Sequence, residues 1–414
     1  MYSTKNRILV ALLMMFLTTN ACLAQDAWYK KVLNKVKVWI DSSAVKGTDP
    51  RYIELPAKPW RAVLSSKTNE MNLRLSNYAV VPIEGHMMLL DWDMHVNPPI
   101  GTSIGLWTGY RSFGLGYSIS LTHTIGINMA FNIANPQYGL GIRFRRFKTD
   151  EVFMDASVSV DGISLDNLLD LSHNKTQLNS PISVQSFILD GYWAFNSKRF
   201  SIAAANDQSM RQLRSAGSVI AGFTFHQQSI DYSNRLNAEL IEMTDGAGRI
   251  KFYQLNAGCG YAYNWVPAKG WLFNAMVMPT VSVLNRVKAY YFDSNYSVFA
   301  DLYGLSEITG KKDYPDLLIE NPDKPDHYKI NPNYLNEKAE WYNTCWLAPD
   351  WMHRTETHYS QIHFNVDARV SATYWWRDYF VNVNGQFNQF RFNHSYNKFR
   401  LFDWYVNASI GLIF

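Results

Sequence analysis

The sequence predicts an all-β protein, a transmembrane antiparallel up-and-down β-barrel of about 12 strands, within a range of about 10 to 14. Three observations support this: an N-terminal secretion signal, successive segments in which apolar and polar residues alternate, and an aromatic residue at the C-terminus. The composition agrees, because 15% of the residues are aromatic and only 18% are charged, which excludes a disordered chain. The net charge of +4 is too small to indicate nucleic-acid binding.

The first 24 residues are arranged like a secretion signal. Lys5 and Arg7 precede an apolar run over 8–17, and small residues follow up to Ala24. We expect cleavage after Ala24 and export to the bacterial outer membrane, with lipidation at Cys22 as the alternative. No other stretch has the roughly 18 consecutive apolar residues of a membrane-spanning helix. The exported chain is therefore expected to be either soluble or inserted as strands.

The C-terminal segments favour insertion as strands. From residue 403 onward every second residue is apolar: Trp404, Val406, Ala408, Ile410, Leu412 and Phe414. Segments 361–375 and 377–390 alternate in the same way, as strands do when lipid covers one face and a polar lumen the other. A soluble β-sandwich also alternates. Aromatic residues at segment ends, such as Trp375 and Trp376, are typical of membrane interfaces and favour the barrel.

The final residue predicts how the chain reaches the membrane. Phe414 directly follows an alternating segment, which resembles the C-terminal signal that outer-membrane barrels present to the insertion machinery. We therefore expect outer-membrane lipid and the barrel-insertion machinery as partners.

The barrel is predicted to span residues 59–414, after a periplasmic segment over 25–58. In that segment Trp28, Val32 and Val36 lie at helical spacing among lysines, which predicts a short basic amphipathic helix. The strand candidates are 60–68, 70–81, 86–96, 103–110, 113–122, 138–148, 151–160, 185–196, 216–227, 250–264, 271–284, 361–375, 377–390 and 403–414. Segment 200–205 is ambiguous, and a further strand there would exchange the periplasmic and extracellular ends of every strand before it.

One connection is much longer than the others. Residues 286–360 are predicted to form an extracellular loop, which carries twelve acidic and eight basic residues and many aromatic ones. Long connections of this kind are usually functional or disordered. The aromatic content favours an ordered loop, which could bind a surface partner.

Charged residues at mid-strand positions are the candidate binding site. We expect them to form a polar network in the lumen, made of Asp91, Asp93, His95, Arg143, Arg145, Asp155, His363, Asp367 and Arg369. Buried charges need partners, and these residues can pair with one another. No catalytic residue and no cofactor is predicted. No metal site is predicted either, because the histidines in and near the loop lack the spacing of metal ligands.

Four separated motifs resemble a known bacterial family. They are residues 47–54 (GTDPRYIE), 58–60 (KPW), 109–118 (GYRSFGLGYS) and 212–218 (QLRSAGS). In this order they are similar to the DUF 4421 group, a domain of unknown function, and the resemblance runs from about Gly47 to the C-terminus. It implies an exported outer-membrane barrel without an assigned activity, so no catalytic residue is carried over.

Two classes of function remain open at this point. The first is binding or passage of a small polar solute, or a role as a surface or assembly scaffold. The alternative is a lipid-modifying barrel enzyme that uses a serine and a histidine at the membrane edge. No motif joins such a pair in this sequence, so an enzyme is the less favoured of the two.

Overall fold

The computed structural model describes most of the chain from Gly47 onward. Its described residues are 47–83, 86–96, 101–121, 126–164, 174–234, 237, 247–291, 318–320, 328–330, 354–360, 362–394 and 397–414, together with Lys35, Val38 and Asp41. These three residues have a helical backbone, whereas the rest of the predicted amphipathic helix and the whole secretion signal lie outside the described residues. Residues 1–46 and 47–414 form separate compact units. The following paragraphs concern the second unit.

Strands make up most of this unit, which also contains one short helix, α1, Ile202–Asn206. The strands are β1 Ile53–Glu54, β2 Trp60–Ile83, β3 His86–Val96, β4 Gly101–Tyr110, β5 Phe113–Ser120, β6 Ile127–Ala134, β7 Tyr138–Val160, β8 Ile163–Ser164, β9 Asn174–Ala194, β10 Arg211–Gln212, β11 Ala216–Asp231, β12 Ala247–Trp265, β13 Trp271–Tyr291, β14 Leu318–Glu320, β15 Tyr328–Ile330, β16 Arg354–Tyr359, β17 Phe364–Trp376, β18 Tyr379–His394 and β19 Asn397–Ile413.

Twelve of these strands form a closed antiparallel barrel, which confirms the predicted fold class. The order around the barrel is β2, β4, β5, β6, β7, β9, β11, β12, β13, β17, β18 and β19. β19 then pairs with β2 from Ile413 opposite Arg61 to Lys398 opposite Ser76, so the sheet has no open edge along this seam. Trp60 and Phe414 exchange both backbone hydrogen bonds. We call the end where β2 begins and β19 finishes the periplasmic end, because bacterial barrels keep both termini in the periplasm.

The barrel wall differs between its two halves. The first part of β2 pairs with β4 over 60–69 and 101–110, and its second part pairs with β3 over 73–83 and 86–96. β3 pairs on its other edge with β7. The short β5–β6 hairpin is therefore inserted only into the half nearer the periplasmic end.

The twelve strands of the barrel do not correspond one to one to the strands predicted from the sequence. The candidates 60–68 and 70–81 are one continuous strand, β2, and the candidates 138–148 and 151–160 are both part of β7 with an irregular register after Thr149. β6 was not among the candidates, although its apolar residues alternate with Asn128, Ala130 and Asn132 as they do in other strands of the barrel. Within the predicted loop 286–360, β13 continues to Tyr291, and β14, β15 and β16 are further strands.

Side chains of β19 alternate between the outer face and the lumen, as the C-terminal segments predict. Val406 and Ile410 of β19 are exposed on the outside, whereas Asp403 and Ile413 are buried inside. Aromatic residues cluster where strands meet the periplasmic turns, including a stacked pair of Trp376 and Tyr379. Such a girdle is typical of a membrane interface. No helix in the described part of the chain is both long and apolar enough to cross a membrane.

The ambiguous segment 200–205 forms no strand. Ser201 caps α1, because its Oγ accepts a hydrogen bond from the backbone N–H of Ala204 at 3.2 Å. Three consecutive alanines, which have the highest helix propensity, follow at 203–205. The connection between β9 and β11 therefore turns into a helix inside the barrel, and the strand count is unaffected.

Candidate functional site

The inner face of the barrel carries a network of buried ion pairs. Asp190 of β9 lies between Arg143 of β7 and Arg369 of β17, at 3.0 and 3.2 Å. Arg369 also pairs with Asp367 at 3.1 Å. Such pairs repay the cost of burying charge only when each group is hydrogen-bonded. The network therefore fixes these side chains across three separate strands.

A second pair lies beside the first. Arg145 of β7 pairs with Asp403 of β19 at 3.0 Å. Tyr405, two residues further along the same face, donates its hydroxyl to Gln386 Oε1 at 3.1 Å, and Arg143 donates to the same oxygen at 3.1 Å. We call Arg143, Arg145, Asp190, Asp367, Arg369 and Asp403 the lumen network.

Lys67 of β2 is the unbalanced charge of this region. Its Nζ lies 4.0 Å above the centre of the Tyr405 ring, and Asp403, the nearest carboxylate, already pairs with Arg145. Lys67 has no ion-pair partner among the residues that the structure describes. Within the described part of the lumen, the Lys67 ammonium group is therefore not in direct contact with a carboxylate.

A cavity of about 300 Å³ adjoins these charges. Lys67, Arg143, Arg145 and Arg369 supply four cations to its wall, and Asp190, Asp207 and Asp403 supply three carboxylates. The wall formed by β4 to β7 has small inward residues, including Gly105, Gly116, Ala130 and Gly141. Because these side chains do not reach the opposite wall, space remains beside them. Ligand cavities in proteins usually have volumes of ~300–1,000 Å³.

The periplasmic end of the lumen is filled by chain. Residues 47–59 and 195–215, here called the periplasmic cap, are joined by the β1–β10 pair and by a hydrogen bond from Asp49 N to Lys198 O of 2.8 Å. Phe200 and Ile202 are fully buried and pack with Ile220 and Met276 of the wall. α1 lies at the floor of the cavity, since Asn206 lines it.

A buried ion pair ties the cap to the barrel wall. Arg61 of β2 and Asp207, just after α1, lie 3.0 Å apart, and each side chain is only 2% exposed. Arg61 also donates to the backbone carbonyl of Asp207 at 2.5 Å and to that of Arg111 at 2.7 Å. Asn132 of β6 donates to the other carboxylate oxygen at 2.6 Å. The attachment thus uses both oxygens of Asp207.

An apolar cluster fills the lumen on the other side of the cavity. We call it the extracellular cluster; it consists of Met94, Phe147, Val152, Ile182, Val184, Ile230, Tyr232, Ala247, Phe252, Phe390, Phe392 and Leu401. These residues come from opposite sides of the barrel, including β7, β12 and β18. The charged cavity therefore lies between an apolar cluster and the periplasmic cap.

Four of the predicted network residues lie elsewhere. Met94 and Val152 face the lumen, so Asp93, His95 and Asp155, at alternate positions, face outward. Asp93 pairs with Arg74, and His95 Nε2 lies 3.3 Å from Asp155 Oδ2. Asp91, on the same face as Asp93, is exposed. This corrects the expected faces: apolar residues such as Met94 and Val152 fill the lumen in this part of the barrel, so the polar residues between them lie on the outer face.

The other five predicted residues divide into two groups. Arg143, Arg145, Asp367 and Arg369 belong to the lumen network. His363 lies just before β17, where its Nε2 is 2.8 Å from Ser360 Oγ, and it does not reach the cavity. The lumen contains a different serine and histidine pair, Ser186 and His226, at 2.9 Å.

Four charged residues that line the cavity are not among those predicted from the sequence: Lys67, Asp190, Asp207 and Asp403. Lys67 and Asp403 already lie within the predicted strands 60–68 and 403–414, so the alternation of those strands could have assigned them to the lumen. Asp190 is hidden in a segment with apolar neighbours. No sequence pattern indicates that Asp207 is buried, because its burial depends on the folding of the cap into the barrel.

One carboxyl group of the cap has a strongly shifted pKa. The pKa of Asp49 is lowered from 3.8 to about 2, because the Arg51 side chain donates two hydrogen bonds to its carboxylate and the Arg51 backbone N–H donates a third. Their distances are 3.0, 2.8 and 3.0 Å. The pair closes a tight turn immediately before β1.

Comparison with known proteins identifies the family. The family described as "Domain of unknown function (DUF4421)" matches residues 90–414. The chain belongs to this family. The description of the family assigns no activity, as the resemblance implied. No curated protein matches the sequence.

Several solved structures of outer-membrane barrels have a similar fold. The translocator domain of the autotransporter NalP from Neisseria meningitidis is 7% identical, with a TM-score of 0.32, and the match covers 93% of this chain and 96% of that one. The outer membrane protease OmpT from Escherichia coli is 9% identical, with a TM-score of 0.38 and coverage of 87% and 98%. The P. putida toluene transporter TodX is 8% identical, with a TM-score of 0.25 and coverage of 87% and 91%. At this level of similarity the comparison concerns the fold class alone.

Proposed function

We propose that this outer-membrane barrel binds a small anionic solute in its lumen cavity. The observation that carries the proposal is the charge balance of the cavity. Each carboxylate of its wall pairs with an arginine, whereas Lys67 has no such partner among the described residues. A carboxylate placed beside Lys67 would complete the balance, and a charge-assisted hydrogen bond in a buried site is stronger than a neutral one.

The surroundings of Lys67 favour a polar solute with an acidic group. Asn384, Asn407 and Ser409 line the same cavity and can donate or accept hydrogen bonds. The arginines nearby are already positioned by their ion pairs, so binding would order few additional side chains. Passage through the barrel would in addition require movement of both the periplasmic cap and the extracellular cluster.

Titration calorimetry on the detergent-folded barrel tests the proposal. The probes are succinate and other small carboxylates of similar size, with erythritol as an uncharged control. We expect a carboxylate to bind and Lys67→Met to weaken it by about tenfold or more, because a lost hydrogen bond to a charged group is worth roughly 1.5–3 kcal/mol.

The matched control is Lys398→Met. Lys398 lies on β19 but is exposed on the outer face, so its loss removes the same charge without touching the cavity. Equal affinity in the wild type and Lys67→Met would contradict the proposal, as would binding of erythritol as strong as that of succinate.

A further inference from the structure

The periplasmic end of the barrel is strongly basic. Residues 47–59 and 195–215 of the cap carry two and four cationic side chains, and the turns at 111–112, 266–270 and 377–378 carry one each. Apart from Asp207, which is buried against Arg61, the same segments hold three carboxylates. Nine positive and three negative charges give +6, which exceeds the +4 of the entire chain.

Most of this charge is not neutralised within the molecule. The three carboxylates each lie near one cation: Asp49 by Arg51, Asp378 by Lys58 and Glu54 by Arg211. Five further cations have no ion pair within the described ranges: Lys198, Arg199, Arg214, Lys269 and Arg377. All five are exposed. This end of the barrel therefore attracts anions without any rearrangement.

Part of this charge is held at fixed positions. The guanidinium groups of Arg199 and Arg214 lie 5.3 and 5.9 Å from the centre of the Tyr52 ring. Tyr52 is in turn joined to the next segment, because its carbonyl accepts a hydrogen bond from Leu213 N at 2.7 Å. Two guanidinium groups thus lie near one aromatic ring of the cap. Guanidinium groups suit carboxylates, which they can bind through two hydrogen bonds.

We propose that the periplasmic cap docks an acidic polypeptide segment through Arg199, Arg214 and the unpaired cations around them. A lipid surface fits less well, because the cap lies within the ring of strands, whereas lipid surrounds its outer rim. A neutral glycan fits less well too, because sugars stack on aromatic faces and the Tyr52 ring is already occupied by guanidinium groups. The partner is therefore recognised by its carboxylates.

Binding of a fluorescent decaglutamate peptide to the full barrel in phosphatidylcholine nanodiscs tests this inference, because both ends of the barrel are accessible there. We expect binding at low salt that weakens as salt rises. The Arg199→Glu/Arg214→Glu variant should lose about tenfold or more in affinity, because like charges oppose the peptide. Arg199→Gln/Arg214→Gln, which adds no repulsion, should lose less.

The matched control reverses two exposed arginines at the opposite end, Arg391→Glu and Arg400→Glu. It should bind decaglutamate as the wild type does, and heat-modifiable gel mobility verifies that every variant is folded. No binding of decaglutamate at low salt, or the same loss in the control, would overturn the inference. Retention on phosphatidylglycerol vesicles or peptidoglycan that depends on Arg199 and Arg214, without decaglutamate binding, would overturn it in favour of lipid or cell wall.

Discussion

At the scale of single residues, burial decides what an ion pair is worth. Arg61 and Asp207 are each 2% exposed, whereas Lys58 and Asp378 are 51% and 47% exposed at a similar separation. Water and salt screen the exposed pair, but the buried one cannot lose a partner without leaving a charge in the interior. The two pairs therefore form a natural comparison within one barrel.

We expect Asp207→Asn to lower the free energy of unfolding by about 3–5 kcal/mol, because Arg61 remains charged and buried without its carboxylate. Asp378→Asn should cost less than about 1 kcal/mol. Urea unfolding of the barrel in lipid vesicles, followed by tryptophan fluorescence, measures both. Equal effects of the two substitutions would show that the cap is not held by the buried pair.

The turn before β1 should respond to acid. The hydrogen bonds from Arg51 lower the pKa of Asp49 to about 2, so their stabilising contribution is complete above the ordinary value of 3.8 and disappears as the pH falls through about 2. Carboxyl-carbon NMR should give a midpoint near 2 in the wild type and near 3.8 in Arg51→Gln. A wild-type midpoint near 3.8 would contradict the geometry of this turn.

At the scale of elements, the connection between β9 and β11 is much longer than the other connections at the periplasmic end. Those connections are short turns, such as 111–112, 266–270 and 377–378. Residues 195–215 instead place α1 in the lumen, where Phe200 and Ile202 pack against apolar residues of the barrel wall. One connection therefore supplies both the floor of the cavity and four of the nine cations of the basic periplasmic end.

Replacing residues 199–213 with a short Gly/Ser turn should open the cavity to the periplasmic side. The readout is the reaction of Lys67→Cys with a membrane-impermeant maleimide, in a background whose native cysteines are serine. We expect labelling to be slow with the cap intact and about tenfold or more faster without it, because reaction in the intact barrel requires local opening. Lys398→Cys, on the outer face, should react equally in both; a similar change there would indicate general unfolding.

At the scale of the whole molecule, the lumen of the barrel holds a cavity between two regions that are filled by protein. Twelve strands enclose more space than the side chains of the lumen network occupy, which is why a cavity remains. The periplasmic cap and the extracellular cluster then occupy the two ends of that space. This arrangement places protein on both the periplasmic and the extracellular side of the charged cavity.

We therefore expect the folded protein to show no steady conductance in planar bilayers. The same preparation should show a heat-modifiable shift in gel mobility, which verifies that the barrel is folded before it is recorded. Stepwise conductance from intact protein would mean that the cap or the extracellular cluster leaves the lumen spontaneously, and would favour a transport function.

The sequence by itself determined the fold class, the approximate number of strands and which residues of the C-terminal strands face the lumen. Alternation with a period of two has one physical cause there, lipid outside and polar groups inside, so residues such as Val406 and Asp367 can be assigned to a face directly. The lumen position of Arg143, Arg145 and Arg369 also follows from local pattern. These properties depend on neighbours along the chain.

The tertiary structure alone decided the partners of those residues and the closure of the lumen. Asp190 meets Arg369 because strands that are distant in sequence face each other across the barrel. Asp93 faces outward because its neighbour Met94 packs into the extracellular cluster inside the lumen. The folding of 195–215 into the lumen depends on the space that the closed barrel leaves there. Such contacts are set by the geometry of closure, which no local pattern records.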